Sequence, residues 1–422
     1  MQEIKDKEPE RVMLVGVGRR YAISPDNESF THLEELGLLA HTAGAKVVGT
    51  LVQARDQIDP AYYIGTGKAE ELKYEVEEAG ANTVIFDHDL SPAQIANLEK
   101  LIEVKVLDRS GLILDIFALR ARTREARTQV ELAQLKYLLP RLSRLWTHLS
   151  RQQGGIGMRG PGETQLEVDR RRVRQRIAHL EQVLGKIEKV RETGRKKRQD
   201  SFKVALVGYT NAGKSTLLNA LSGSEEPVED KLFKTLDSVT RLVKFEQSSV
   251  ILLSDTVGFI RNLPHDLVAS FKSTLEEVRE ADLLLHVIDI NNIEWEDQEA
   301  VVSKVLTELD ASNTDSIMVF NKIDRLGDSA LLDGMKNRYP DALFVSAHGG
   351  DGIDVLSKAI IKFSDKGKVK LTHTFAPKDG ALLSEVYRYA VVHDTVADGS
   401  DIELTFTIAQ AIADRLNLQK KD

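Results

Sequence analysis

The feature that most restricts what this chain can fold into is GYTNAGKS, Gly208 to Ser215, which fits GxxxxGK[ST] and lies between a strand-like run and a helix-like one. The preceding Lys203 to Val207 is short, apolar and β-branched, and Thr216 to Ala220 reads as a helix start, which is the context this motif requires. Glycines let the backbone curl so that successive N–H groups point inward at phosphate oxygens. Gly208, Tyr209, Thr210, Asn211, Ala212 and Gly213 form the loop, Lys214 reaches the β and γ oxygens, and the Ser215 hydroxyl ligates magnesium, with Thr216 following. Alone, the motif specifies a nucleotide and no particular base.

The base is specified by NKID, which is Asn321, Lys322, Ile323 and Asp324, at the exit of the apolar run Ile317 to Phe320. A carboxylate at Asp324 accepts two hydrogen bonds from guanine N1–H and the exocyclic amine, whereas adenine would leave that charge desolvated and unpaired. DTVG (Asp255, Thr256, Val257, Gly258) follows the strand-like Val250 to Leu253, and SAH (Ser346, Ala347, His348) follows Leu343 to Val345. Each short match taken singly could be an ordinary strand-end turn. Their fixed order is far more specific than any one of them.

At 422 residues the chain exceeds what one hydrophobic core usually serves, so roughly two to four domains are expected. The absence of cysteine excludes disulfides, thiolate metal sites and cysteine nucleophiles. The start, MQEIKDKEPE, has no apolar signal core, and no apolar run approaches the roughly 18 residues of a membrane span. The expectation is a cytoplasmic monomer without a membrane span, with peripheral membrane association as an alternative.

Charge is distributed unevenly. Between Arg109 and Gln199 there are 22 lysines and arginines against 9 acidic residues, a local +13, so the rest of the chain carries −21 of the total −8. A cationic insert in an acidic protein points to a polyanionic partner, of which nucleic acid is the commonest; the alternative is a solvated helix face dotted with arginine. RRRVRQR (Arg170 to Arg176) and RKKR (Arg195 to Arg198) favour RNA, and Arg170, Arg171 and Arg172 are the candidate phosphate contacts.

Four regions are expected: an N-terminal parallel α/β domain (1–108), a basic helical coiled-coil hairpin (109–199), the nucleotide domain (200–365) and a small α+β C-terminal domain (366–422). In the first, runs at Val12 to Val17, Val47 to Val52, Val84 to Phe86 and Val104 to Leu107 alternate with helical patterns. Its YIGTGKAEEL (Tyr63 to Leu72) reads either as a glycine turn opening a helix or as a second nucleotide site; it lacks the first glycine at P-loop spacing and a hydroxyl after Lys68. In the hairpin, Leu132, Leu135, Leu139, Leu142 and Trp146 form one apolar stripe that Pro140 should kink or split. Leu166, Val173, Leu180 and Ile187 recur every seven residues, with Ile177 and Leu184 between, as an antiparallel coiled hairpin requires. The tip, 152–165, contains Gly154, Gly155, Gly157, Gly160, Gly162 and Pro161, so it continues neither helix. It reads as a linker or, carrying Met158 and Arg159 beside Gly157 on a cationic stalk, as a probe that orders on RNA. The tail from Val369 reads as helix, strand, strand, helix and has no catalytic chemistry.

Together these strings resemble the HflX GTPases, a ribosome-associated family in the Obg-HflX branch of translation GTPases. The resemblance covers essentially the whole chain and rests on DRSGLILDIFA (Asp108 to Ala118), QVELAQLKYLLPRL (Gln129 to Leu142), GGIGMRGPGETQLEVDRRR (Gly154 to Arg172), LFKTLD (Leu232 to Asp237), DTVGFIRNLPHDLVASFKSTL (Asp255 to Leu275) and the nucleotide motifs above. It implies the four-region architecture with a Ras-like nucleotide domain, GTP hydrolysis to GDP with Mg2+, and binding to the large ribosomal subunit and its rRNA. It further implies ribosome splitting under stress, with the Gly154 to Gln165 loop approaching the peptidyl transferase centre. Within LFKTLD it places Phe233, Lys234, Thr235, Leu236 and Asp237 at the nucleotide. Thr235 completes magnesium coordination once a γ-phosphate is present, Asp255 holds the ion through water, and the Gly258 N–H meets the γ-phosphate, so Lys214, Thr235 and Gly258 are the expected catalytic set. Ser238 stands where the family's first switch has proline. Phe259 occupies the position of the water-orienting glutamine of Ras-like proteins, which implies a low intrinsic rate completed by a partner or by K+ at Asn211. Two alternatives remain open: an ATP-dependent rRNA remodeller using the N-terminal domain, and an RNA-modification-associated GTPase.

Overall fold

The computed structural model describes residues 9–18, 28–55, 57–142, 165–196, 202–224, 232–233, 239–245, 250–261, 272–327, 329–398 and 400–418. The chain divides into two compact units. One comprises Met1–Val190, Glu229–Asp237 and Ile260–Ser273, and the other Arg191–Val228, Ser238–Phe259 and Thr274–Asp422.

In the first unit, β1 (Arg11–Gly18), β2 (Lys46–Ala54), β3 (Thr83–Phe86) and β4 (Lys105–Asp108) form a parallel sheet in the order β2-β1-β3-β4. Val12, Met13, Leu14 and Val15 are all buried, the unbroken apolar run expected of a strand covered on both faces. The crossovers are α1 (Glu28–Thr42), α2 (Thr66–Ala79) and α3 (Pro92–Ile102). Ser91 and Gln94 form a capping box over Pro92 at the start of α3, and Gly80 ends α2 in the left-handed region at φ +58°. The strands and helices read from periodicity recur here within a few residues.

Helix α4 (Arg109–Arg120) buries Leu112, Ile113, Leu114, Ile116 and Phe117 and packs against α1 and the sheet. Helix α5 (Arg124–Leu138) stops two residues before Pro140, as that residue demands. Against it lies α6 (Gln165–Lys196), with Leu180 buried. Arg176 pairs with Glu131 at 2.7 Å and Lys136 with Glu181 at 2.9 Å, and both pairs are 45 residues apart in sequence. Residues 143–164, with Trp146, Gly157, Met158 and Arg159, lie outside the described residues. Arg171 and Arg172 are exposed, Arg170 is half-buried, and Arg172 lies 3.7 Å from Asp169.

The second unit is built on a six-stranded sheet in the order β10-β9-β8-β5-β7-β6, parallel except for the edge strand β6. Its strands are β5 (Phe202–Gly208), β6 (Val239–Lys244), β7 (Val250–Asp255), β8 (Leu283–Asp289), β9 (Ser316–Asn321) and β10 (Leu343–Phe344). Helices α7 (Lys214–Ser222), α8 (Lys272–Arg279), α9 (Trp295–Glu308), α10 (Ser329–Arg338) and α11 (Ile353–Ser364) connect them. The first residues of α8 are assigned to the first unit. Leu206, Leu217, Ile251, Leu285, Val319 and Ile360 meet in the core.

The C-terminal region is strand, helix, strand, strand, helix: β11 (Lys368–Phe375), α12 (Gly380–Tyr389), β12 (Val391–Asp398), β13 (Asp401–Ala409) and α13 (Gln410–Arg415). The sequence reading omitted β11, whose Leu371 and Phe375 point into the core and pair across the sheet with Phe406 and Ile402. Among the described residues no helix is long and apolar enough to cross a membrane.

Candidate nucleotide site

The second unit brings the separated motifs together at the carboxyl ends of its parallel strands, where ligands of open α/β sheets bind. Strand β5 ends at Gly208, whose φ is +151° and whose place is tight: a Cβ would stand 2.2 Å from the Val287 carbonyl. Asn211 and Gly213 adopt left-handed backbone at φ +64° and +94°, turning the loop into the N-terminus of α7. Lys214 is buried, and its Nζ donates to the carbonyls of Gly208 at 3.0 Å and Tyr209 at 2.8 Å. Burial pushes its pKa down to about 8, with Asp255 opposing and Lys322 adding to the shift. The ammonium is thus held over the loop.

Strand β7 delivers Asp255, also buried, and the Ser215 hydroxyl donates to its Oδ2 at 2.6 Å. Thr256 donates to the Leu206 carbonyl at 2.7 Å, while Val257 is buried beside it. Gly258 passes so close to the loop that a Cβ would lie 2.8 Å from the Thr210 Cα and 3.1 Å from Lys214 Nζ. Next, Phe259 pairs through its backbone with the loop, its N–H donating to Gly208 at 3.2 Å and its carbonyl accepting from Thr210 at 2.7 Å. Its ring is 1% exposed and points into the protein.

Strand β9 delivers Asn321, which fastens three segments: its Nδ2 donates to the Ala212 carbonyl at 2.9 Å, and its Oδ1 accepts from the Ala347 N–H at 3.0 Å. Lys322 has φ +67° and donates through Nζ to the Asn211 carbonyl at 2.8 Å and to Asp289 at 2.7 Å. Ile323 opens a short 3-10 turn that carries Asp324, whose Oδ1 accepts from the Ser346 hydroxyl at 2.6 Å. His348 is exposed beyond Ala347. Lys234, Thr235, Leu236 and Asp237 lie outside the described residues. Phe233, just before them, is buried in the first unit.

Sequence reasoning missed Asp289, at the end of a strand that carries none of the recognised motifs. It also missed His286 on the same strand, buried beside the site, with its pKa pushed down to about 4 by burial. The GTGK turn of the N-terminal domain opens α2, with Gly65 at its N-cap. The Gly65 N–H is met by Gln53 Oε1 at 2.9 Å, a Cβ on Gly65 would stand 2.7 Å from Arg55, and Lys68 pairs with Glu71 at 2.6 Å.

Three family profiles match consecutive stretches: GTP-binding GTPase N-terminal over residues 31–118, GTP-binding GTPase Middle Region over 120–198, and 50S ribosome-binding GTPase over 203–322. A GTPase HflX from Escherichia coli is 44% identical, with 92% of each chain covered. One from Caldanaerobacter subterraneus is 51% identical over 85% of this chain and 82% of that protein. One from Flavobacterium psychrophilum is 56% identical over 69% and 71%. Among solved structures, a GTP-binding protein from Sulfolobus solfataricus in complex with GDP aligns over 85% of this chain and 99% of that one, with 25% identity and a TM-score of 0.43. From sequence relatives of this identity and coverage, the chain belongs to the HflX family of GTPases.

Proposed function

We propose that this GTPase is a nucleotide-switched factor that binds the large ribosomal subunit and its rRNA, separates ribosomal subunits under stress in its triphosphate form, and leaves on hydrolysis. The base reading is carried by one arrangement: Ser346 orients the Asp324 carboxylate while Asn321 and Lys322 tie the same segment to the phosphate loop. A fixed carboxylate there accepts guanine N1–H and the exocyclic amine together. Lys214 meets the β and γ oxygens, and the Gly258 N–H meets the γ-phosphate.

GTPases of this family work with magnesium. Ser215 Oγ and Asp255 Oδ2 are hard oxygen donors already side by side, which suits the ion; Ser215 would hold it directly, Asp255 through water and Thr235 once triphosphate is present. Bound there, it would neutralise charge developing between the β and γ phosphates. Asn211 is the residue proposed for a potassium ion, and replacing potassium with sodium should lower the hydrolysis rate if it serves there.

The ribosome reading is supported by the description of the family profile that matches residues 203–322 and by the exposed Arg171 and Arg172 on α6. Arginine contacts to phosphate supply salt-sensitive affinity, and the glycine-rich segment supplies the action at its target. Sedimentation of ribosomes with the protein and a non-hydrolysable GTP analogue is the direct test, and free subunits are expected. Replacing Gly154 to Gly162 by a short turn should preserve GTP binding and most ribosome binding but remove splitting; splitting at the wild-type rate would return that segment to a linker. Titration with ATP in parallel separates this reading from an ATP-driven remodeller.

A further inference from the structure

The recognised motifs leave one contact of the base-site lysine unexplained. Asp289 ends β8 directly beside Asn321 in the parallel ladder. Its Oδ2 accepts from Lys322 Nζ at 2.7 Å, with both side chains largely buried. Its other oxygen accepts from Asn291, from the backbone N–H at 3.0 Å and from Nδ2 at 3.2 Å. The Asn291 amide also donates to the Lys322 carbonyl at 2.9 Å. Lys322 is therefore held at its ammonium by Asp289 and at its carbonyl by Asn291, while its backbone sits at φ +67°, a conformation that costs a side-chain-bearing residue about 1 kcal/mol or more.

We propose that Asp289 and Asn291 are positioning residues for guanine-nucleotide binding. They hold Lys322 in its bridging pose, so that the base segment and the phosphate loop are joined through the Asn211 carbonyl before nucleotide arrives. Ordering a long lysine side chain costs entropy at the moment of binding unless the fold has already met that cost. An acidic partner does this for the ammonium, and the asparagine does it for the strained peptide. This inference rests on the reading of NKID as the base site.

The test is a double-mutant cycle on the full chain, read by displacement of fluorescent GDP. Asp289→Ala should weaken GDP binding about tenfold, the size of one lost charge-assisted hydrogen bond, and raise KM for GTP by more than it lowers kcat. Asp289→Asn, which keeps an acceptor and loses the charge, should fall between. In a Lys322→Ala background the same Asp289→Ala change should cost less than about twofold, because the group it acts through is gone. Equal losses in the two backgrounds would overturn the proposal and leave Asp289 a general loop stabiliser. Asp324→Asn separates the underlying reading: if it leaves the preference for guanine over xanthine nucleotides untouched, the base-site assignment fails whatever the cycle gives. If preference shifts and the cycle is additive, only the positioning role fails.

Discussion

The amide of Asn321 occupies the space that a side chain on Gly213 would need: a Cβ there would stand 2.3 Å from Asn321 Nδ2, on a residue whose φ is +94°. The phosphate loop and the base segment are thus packed against each other at a point where only glycine fits. Gly213→Ala should displace Asn321 from Ala212 and weaken GDP binding by at least about tenfold through strain and lost alignment. Calorimetric titration checks this; affinity within twofold of wild type would mean that the loop tolerates the added methyl.

Installing glutamine at Phe259 should fail to accelerate hydrolysis. The Phe259 ring is buried, and its backbone is paired with Gly208 and Thr210, so a glutamine there would be buried in the same place. Phe259→Gln should lower stability by about 2–4 kcal/mol, from lost apolar burial and a desolvated amide, and leave single-turnover GTP hydrolysis no faster. A tenfold faster single-turnover rate would refute it.

Acid should weaken the nucleotide domain through His286. Burial holds this imidazole at a pKa of about 4, with Glu299 opposing and Lys214 adding to the shift, whereas the unfolded chain takes up the proton near 6.5. Between those values the unfolded state binds more protons, so stability is fully present above about pH 6.5 and falls as pH drops toward 4, by on the order of 3 kcal/mol. Denaturant unfolding at several pH values should show this slope in the wild type and a shallower one in His286→Gln.

Phe117 of α4 and Phe233 meet edge to face, with centroids 4.7 Å apart and planes at 87°, inside the first unit. Phe233 holds a left-handed backbone at φ +52°. Phe117→Ala should cost that unit about 3–5 kcal/mol and speed proteolysis around residue 233, since the ring that fixes this turn is gone. Unchanged cleavage there would show that other contacts hold the turn.

The nucleotide chemistry was legible in the sequence because its parts are local. A glycine where φ must be positive, a lysine and hydroxyl at the start of a helix, and an aspartate just past a strand are set by a few consecutive residues, and the fold then closes Asn321 onto Ala212 and Ser346 onto Asp324. The strands of the first unit were legible for the same reason, and β11 could have been, since Leu371 and Phe375 lie on one face at strand spacing. What the sequence could not decide were relations between distant segments. Heptad spacing marks an apolar stripe on α6 but not the ion pairs Glu131–Arg176 and Lys136–Glu181 that join it to α5. Phe259 reads in sequence as a missing catalytic side chain, and only the fold shows that its ring is buried. Asp289 carries no motif because its role comes from strand order: β8 lies beside β9, and that adjacency puts a carboxylate against Lys322. Backbone conformation and side-chain chemistry are properties of short segments, whereas pairing, direction and burial depend on which segments the tertiary fold brings into contact.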